Sequence, residues 1–158
     1  MTTSQQFLLQ RVQPALTGLI DGSLSTIAPI FAVAIYTHEP HAAFIAGAAT
    51  AIAAGISMAY SEGLSDTGEL TGRGHPVVRG AITGFCTFLG GILHTLPFLI
   101  PSYHAALVIA TAVVASELVV LAWLRWRFFR TSFVGSLGYV TLAGLVIVGV
   151  SAALGVSG

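Results

Sequence analysis

Residues 42–61 read AAFIAGAATAIAAGISMAYS, twenty consecutive positions without a charged side chain. A helix that crosses the hydrocarbon core of a bilayer needs about 20 predominantly apolar residues. Directly afterwards the chain carries three acidic residues, Glu62, Asp66 and Glu69. The stretch therefore predicts a transmembrane helix that ends beside an acidic segment.

The composition of the whole chain agrees with this prediction. Of its 158 residues, 55% are hydrophobic and 8% are charged, and the mean hydropathy is +0.89. Soluble domains typically carry about 25% charged residues. We therefore predict an integral membrane protein whose residues 1–158 form a single transmembrane domain. The single cysteine, Cys86, excludes an intrachain disulfide and a metal cluster built from cysteines.

Five apolar segments are long enough to cross a bilayer as helices, so the predicted fold class is all-α. The HEPH sequence at residues 38–41 lacks the helical i, i+4 histidine pair of a zinc protease, and we expect no enzymatic activity. The predicted spans cover residues 15–36, 42–61, 79–100, 105–124 and 133–154.

The basic residues predict the orientation of the chain. Positive side chains beside short loops are retained on the cytoplasmic side, which places the N-terminus in the cytoplasm and the C-terminus outside. The chain has no lysine, and arginines that follow topology in this way give no indication of nucleic-acid binding. The arginines precede the first span or lie in the second and fourth loops: Arg11, Arg73, Arg79, Arg125, Arg127 and Arg130.

A cleaved signal peptide is the alternative interpretation of the first segment. Arg11 precedes an apolar run, and Ala32-Val33-Ala34 has the small residues of a cleavage site. Asp21 and Pro29 interrupt the apolar run, which argues against this alternative. We therefore expect the first segment to be a transmembrane helix.

Asp21 is a carboxylate within the first predicted span. Such a group costs about 2.5–3.5 kcal/mol near the bilayer centre and usually faces a partner, a water-filled path or an ion. At about 1.5 Å per residue, Asp21 is expected about 9 Å inside the span, on the cytoplasmic side where the second span ends with Met58 and Glu62. Met58, Glu62 and Asp66 also follow i, i+4, i+8 spacing, with Glu69 beside them, and predict one helix face with a thioether followed by carboxylates. Carboxylates attract divalent cations and a thioether favours a transition metal, so all five residues are candidate metal ligands.

Each of these candidates also has a structural interpretation. A methionine in an apolar helix usually fills the core, which applies to Met58. The acidic segment from Glu62 to Glu69 is a solvated helix end in the alternative view, or a set of partners for Arg73 and Arg79. Asp21 caps the first helix if that helix begins at Gly22 or Ser23.

Glu117, in the fourth span, is predicted either to carry protons or to pair with a buried arginine. The histidines near the outer ends of the spans form an exit site for a metal ion in one interpretation, with Glu39. In the favoured alternative the loop histidines are solvated and His94 makes a local hydrogen bond. The outer histidines are His38, His41, His94 and His104.

Small residues recur at helical spacing. Gly80 and Gly84 form a G-x-x-x-G pair, and Gly47, Ala51 and Gly55 repeat small side chains every fourth position. Both patterns permit close approach of helices. Packing within one protomer is the favoured interpretation, and a homodimer interface with a shared path is the other.

Several short motifs of the chain resemble those of the vacuolar iron transporter family. The resemblance is carried by DGSLST at residues 21–26 and GISMAYSE at residues 55–62. LTGRGHP at residues 70–76 and TFLGGILHTLP at residues 87–97 are more similar to the membrane half of bacterial membrane-bound ferritins, also called erythrin–vacuolar iron transport proteins. The motifs lie between residues 16 and 101, whereas the last two spans resemble the family in hydropathy alone.

The resemblance implies a five-helix dimer with two-fold symmetry that exports Fe²⁺, and often Mn²⁺, from the cytosol in exchange for protons. It places Asp21 and Met58 along an ion path between protomers, with Glu62 as the acidic residue that follows. No permanently bound cofactor is expected, and membrane lipids surround the dimer. Compared with family members, we expect neither their cytosolic helical insertion nor their N-terminal ferritin-like domain here, and a soluble iron-delivery partner is the candidate substitute. The likeness to bacterial members implies a bacterial inner membrane as the location.

Two functions from different classes remain open at this stage. One is a homodimeric exchanger of metal ions for protons. The other is a non-transporting membrane subunit or scaffold whose acidic residues are paired structurally.

Overall fold

A computed structural model describes the backbone of residues 2–156 and the side chains of residues 2–153. Within this range the chain is helical and contains no β-strand. Five helical segments are long and apolar enough to cross a membrane, as the sequence predicts. They are Thr3–Thr37, Pro40–Ser65, Pro76–Leu93, Tyr103–Phe129 and Phe133–Ala153.

The first spanning segment is longer than predicted and consists of several helical pieces. It begins with α1 (Thr3–Phe7), continues through a π-helical turn (Leu8–Val12) and α2 (Gln13–Ser25), and ends with α3 (Ile27–Thr37). The residues before the predicted start at residue 15 are therefore helical.

A break at Thr26 separates α2 from α3. Pro29 has no N–H to donate to the carbonyl of Ser25, four residues earlier, and its ring crowds that carbonyl. Thr26 adopts φ −90° and ψ −17° at this point, instead of regular α-helical values. The proline therefore kinks the first span at Thr26.

The remaining helices are α4 (Pro40–Ser65), α5 (Pro76–Leu93), α6 (Tyr103–Phe129) and α7 (Phe133–Val156), with a 3₁₀ helix at Leu96–Leu99 between α5 and α6. The prediction that the third span continues to residue 100 is wrong. Pro97 cannot donate to the carbonyl of Leu93, so the α-helix stops there and the chain turns into the 3₁₀ helix.

Glycines bring three of the helices into backbone contact. A Cβ atom on Gly22 of α2 would overlap the carbonyl group of Thr87 on α5. One on Gly84 of α5 would overlap the carbonyl oxygen of Gly55 on α4. The small-residue patterns of α4 and α5 thus pack against each other within the chain, which confirms the favoured interpretation of them.

The kink of the first span directs its two halves toward different neighbours. α2 packs against α5, whereas α3 packs against α7 and α4. α6 lies against α7 and also contacts α2. The buried core follows α3, where Ile27 and Ile30 are fully buried and Phe31 meets Phe98 edge to face, with ring centroids 6.2 Å apart.

Candidate functional site

Asp21 and Met58 line the same cavity. Its volume is about 450 Å³, and Asp21 is contributed by α2, Met58 by α4 and Ile147 by α7. The hydroxyl groups of Thr17 and Ser25 also line it. The structure therefore brings together the carboxylate and the thioether that the sequence singled out.

Asp21 occupies the interior of α2, which runs unbroken from Gln13 to Ser25. The alternative that Asp21 caps a helix beginning at Gly22 or Ser23 is therefore wrong. None of the salt bridges among the described residues involves Asp21. Its carboxylate thus lies beside a cavity without a compensating cation from this part of the chain.

Glu62 and Asp66 are engaged by arginines. Glu62 Oε1 lies 2.6 Å from Arg79 Nε and 2.6 Å from Arg73 Nη2. Asp66 Oδ2 lies 3.1 Å from Arg73 Nη1, and Asp66 Oδ1 lies 3.4 Å from Arg79 Nη1. The interpretation of these acids as partners of Arg73 and Arg79 is confirmed by this geometry.

Arg79 is the centre of this ion-pair network. Its side chain is fully buried, although it belongs to the first turn of α5. Arg79 Nη2 donates hydrogen bonds to the backbone carbonyls of Glu62 and Asp66 and to the hydroxyl of Ser65. The last carbonyls of a helix have no partner within the helix, so this guanidinium caps the C-terminus of α4 as well as neutralising its acids.

The predicted helix face that joins Met58, Glu62 and Asp66 is interrupted. α4 ends at Ser65, and Asp66 has extended backbone angles, with φ −163° and ψ 160°. Asp66 accepts hydrogen bonds from the N–H of Gly68 and the hydroxyl of Thr71, which is the local turn that aspartate favours over a helix. The i, i+4 relation therefore holds for Met58 and Glu62 only, and Glu69 is exposed in the loop.

The pKa of the Asp66 carboxyl lies below its ordinary value. Desolvation is the largest single influence and acts to raise the pKa. The hydrogen bonds from Thr71 and Gly68, together with the charges of Arg79 and Arg73, outweigh it. The environment of Asp66 therefore favours the ionised carboxylate.

We expect the contribution of Asp66 to stability to disappear in acid. A group with a lowered pKa in the folded protein stabilises it above the unfolded-state pKa, about 3.9 for aspartate, and loses this effect as the pH falls through the folded-state pKa. The difference in unfolding temperature between the wild type and Asp66→Asn, measured in detergent, should shrink over this acidic range. Glu69→Gln is the matched control, because Glu69 forms none of the salt bridges found in residues 2–153, and its difference should stay small throughout. A difference for Asp66→Asn that is the same at all pH values would contradict the prediction.

Glu117 pairs with His94 and not with an arginine. His94 Nδ1 lies 2.9 Å from Glu117 Oε2, and His94 Nε2 lies 2.7 Å from the hydroxyl oxygen of Thr26. These contacts join the end of α5 to α6 and to the kink in the first span. The expectation that His94 bonds locally is therefore wrong, because its partners are 23 and 68 residues away in the chain.

The outer histidines do not assemble with His94. His94 is fully buried in the bundle, whereas the other three are exposed. His38 instead lies against Tyr103, with ring centroids 4.8 Å apart. No group of three or more His, Cys, Asp or Glu side chains is arranged to hold a metal ion within the part of the chain that the structure describes.

Sequence reasoning missed the role of Thr26 altogether. The threonine hydroxyl also donates a hydrogen bond to the carbonyl oxygen of Gly22, at 2.8 Å. The one available signal was a proline three residues later, which predicts a kink and thus freed polar groups near position 26.

The fold defines the chain as a multi-pass α-helical membrane protein with ionisable side chains inside the bundle. No family model, curated protein or solved structure matches the chain.

Proposed function

We propose that the protein exports a divalent transition-metal ion, Fe²⁺ or Mn²⁺, from the cytosol in exchange for protons. The observation that carries this proposal is the shared cavity of Asp21 and Met58. A carboxylate within a membrane span that has no cationic partner is costly unless an ion or a proton compensates it. The resemblance to vacuolar iron transporters assigns the same two residues to an ion path.

The chemistry of the cavity suits such an ion. The carboxylate of Asp21 supplies a charged oxygen ligand, and the thioether of Met58 supplies a softer ligand that favours Fe²⁺ over Mg²⁺ or Ca²⁺. The hydroxyls of Thr17 and Ser25 add neutral oxygen atoms. Two strong ligands do not complete a coordination shell, so we propose that a second copy of the chain faces this cavity and contributes the same pair across a two-fold axis.

The acidic segment has a different part in this proposal from the one that the sequence suggested. Glu62 and Asp66 are balanced by Arg73 and Arg79, so their ion pairs must open before either carboxylate can bind a cation. Glu69 keeps the exposed position expected of a group that attracts cations from the cytosol. The proposed ligands of the path are thus Asp21 and Met58, with Glu62 as a conditional third.

A non-transporting membrane subunit or scaffold is the second candidate, and the Arg79 network favours it. In that case the acids of α4 serve only to hold the loop that leads to α5. Uptake of Fe²⁺ and Mn²⁺ into proteoliposomes separates the two candidates. Metal flux that the purified protein adds to the lipid background supports transport, and its absence in a folded, reconstituted protein contradicts it.

We expect Met58→Leu to reduce the preference for Fe²⁺ over Mg²⁺ by about 10-fold or more, since even outer-shell changes at metal sites cost about 10–100-fold. Leucine keeps the volume and apolar character of methionine, so packing should survive. Competition between the two metals during uptake measures the preference. Ile147→Leu, in the same cavity, is the matched control and should leave the preference unchanged. If both variants behave like the wild type, Met58 is core packing.

A further inference from the structure

The contacts of His94 determine where its protons lie. The carbonyl oxygen of Gly22 carries no hydrogen, so its 2.8 Å contact with Thr26 Oγ1 requires the hydroxyl hydrogen of Thr26. The same hydroxyl oxygen must then accept a hydrogen bond from His94 Nε2–H, at 2.7 Å. The ring nitrogen Nε2 is therefore protonated whatever the state of Nδ1.

The contact between His94 Nδ1 and Glu117 Oε2 then needs one further proton. Without it, the lone pair of Nδ1 would face a carboxylate oxygen at 2.9 Å, where neither atom can donate. With it, the pair is either an imidazolium beside a carboxylate or a neutral imidazole that accepts from a carboxylic acid. Both forms have zero net charge, whereas loss of the proton leaves one negative charge inside the bundle.

No other ionisable side chain of the described residues bonds to this pair. On the elements around it, α2 carries Asp21, which lines the separate cavity with Met58. On α5 the nearest group is Cys86, eight residues or about 12 Å along the helix from His94. On α6 the nearest charged group is Arg125, eight residues or about 12 Å along the helix from Glu117. Tyr36 of α3 and His104 of α6 are exposed near the helix ends. The pair therefore does not share its proton with another ionisable side chain of the described residues.

The side chain of Glu117 lies next to a cavity. Glu117 Oε1 is buried and has no hydrogen-bond partner in the described part of the chain. The carboxyl group lines a cavity of about 480 Å³, whose other polar side chains are Ser23 and Ser116 and whose remaining surface is apolar. The partly exposed carboxyl group of Glu117, and not the fully buried ring of His94, is therefore the group of the pair that a proton reaches from this cavity.

We propose that His94 and Glu117 form a one-proton binding site that fastens α6 to the kink of the first span. Protonated, the site joins α6, the end of α5 and Thr26 through one line of hydrogen bonds. Loss of the proton turns the Nδ1 to Oε2 contact into a repulsion and releases α6 from the kink. The coupling of this site to metal movement rests on the proposed function, whereas its titration does not.

Glu117→Gln provides the sharpest test. The amide of glutamine donates to Nδ1 of a neutral His94, so the hydrogen bond and the packing are kept while the exchangeable proton is lost. An imidazolium without its carboxylate would be an unpaired charge in the bundle, so His94 should stay neutral in this variant. Ser116→Ala, beside Glu117 in the same cavity, is the matched control.

Nitrogen NMR of histidine-labelled protein in lipid nanodiscs reads the result directly. His94→Gln identifies the His94 signals among those of the five histidines. We expect Nε2 of His94 to remain protonated while Nδ1 changes state with pH in the wild type and in Ser116→Ala, but not in Glu117→Gln. Nδ1 signals that do not change over the pH range in which the wild type is folded would overturn the proposal, as would identical titrations in wild type and Glu117→Gln. If Glu117→Gln does not fold, the NMR signal of the Glu117 carboxyl carbon in labelled wild-type protein replaces it as the test. This signal should change with pH at the same midpoint as the Nδ1 signal, and different midpoints would overturn the shared proton.

Proteoliposomes test the coupling separately. If the wild type moves metal, Glu117→Gln should retain metal flux, and the several-fold effect of a pH gradient on that flux should vanish. Flux in Glu117→Gln that still follows the gradient as in the wild type would overturn the coupling. A wild type without metal flux would contradict the proposed function and leave the NMR titration as the test of the proton site.

Discussion

Asp21→Asn abolishes metal uptake into proteoliposomes while the protein stays folded: this is the largest functional effect that we expect. Asparagine keeps the shape of the side chain but removes the only formal charge among the residues that line the cavity with Met58. A divalent ion that enters the membrane without this charge loses its main electrostatic compensation. We expect uptake to fall by about 100-fold, the upper end of the loss caused by weaker changes around metal ligands.

The matched control for this substitution is Ser25→Ala in the same cavity. Ser25 supplies only a neutral oxygen atom, so its loss should lower uptake much less. Thermal unfolding in detergent must show that both variants are folded. Wild-type uptake by Asp21→Asn would remove Asp21 from the path and would leave the scaffold as the better candidate.

Arg79→Met produces the largest loss of stability that we expect. The substitution keeps an apolar stem but leaves Glu62 without its buried partner and the end of α4 without its cap. Removing one member of a buried ion pair typically costs about 3–5 kcal/mol. Arg73 still pairs with Glu62 in this variant, so we expect a loss near the lower end, about 3 kcal/mol. The free energy of unfolding, measured with denaturant in detergent, should fall by about this amount.

Arg73 provides the control for this prediction. It pairs with the same two acids, but 23% of its side chain is exposed, whereas the side chain of Arg79 is fully buried. Solvent and salt screen an exposed pair, so Arg73→Gln should cost much less stability. Equal losses in the two variants would show that burial of Arg79 is not the reason for the effect.

Hydropathy was sufficient to predict the five spanning helices, because length and apolar character are what a bilayer requires. It did not predict where they end. Pro97 ends α5 before His94, and Pro29 breaks the first span at Thr26. Both limits depend on a missing backbone N–H, which a count of apolar residues does not detect.

The candidate site was predictable in part for similar reasons. Asp21 and Met58 were expected at one depth and lie in one cavity, because depth follows from position in a span. The sequence did not favour the pairing of Asp66 with arginines over a continuous acidic helix face. Helical periodicity assumes that the helix continues, whereas α4 ends before Asp66. The contact between His94 and Glu117 depends on how α5 and α6 face each other, which no local pattern specifies.

The backbone contacts through Gly22, Gly55 and Gly84 separate helices that must move together from helices that can move independently. Helices that touch through carbonyl groups cannot slide or rotate without steric overlap, so α2, α4 and α5 form a stiff frame. Gly138 and Gly149 of α7 are different, since they lie on its exposed face, where a Cβ atom would meet nothing within 4 Å. Any opening and closing of the bundle is therefore expected to keep α2, α4 and α5 together and to move other helices against them. Alanine substitutions test this directly. Replacing Gly22, Gly55 or Gly84 should abolish expression, whereas replacing Gly138 or Gly149 should leave expression unchanged.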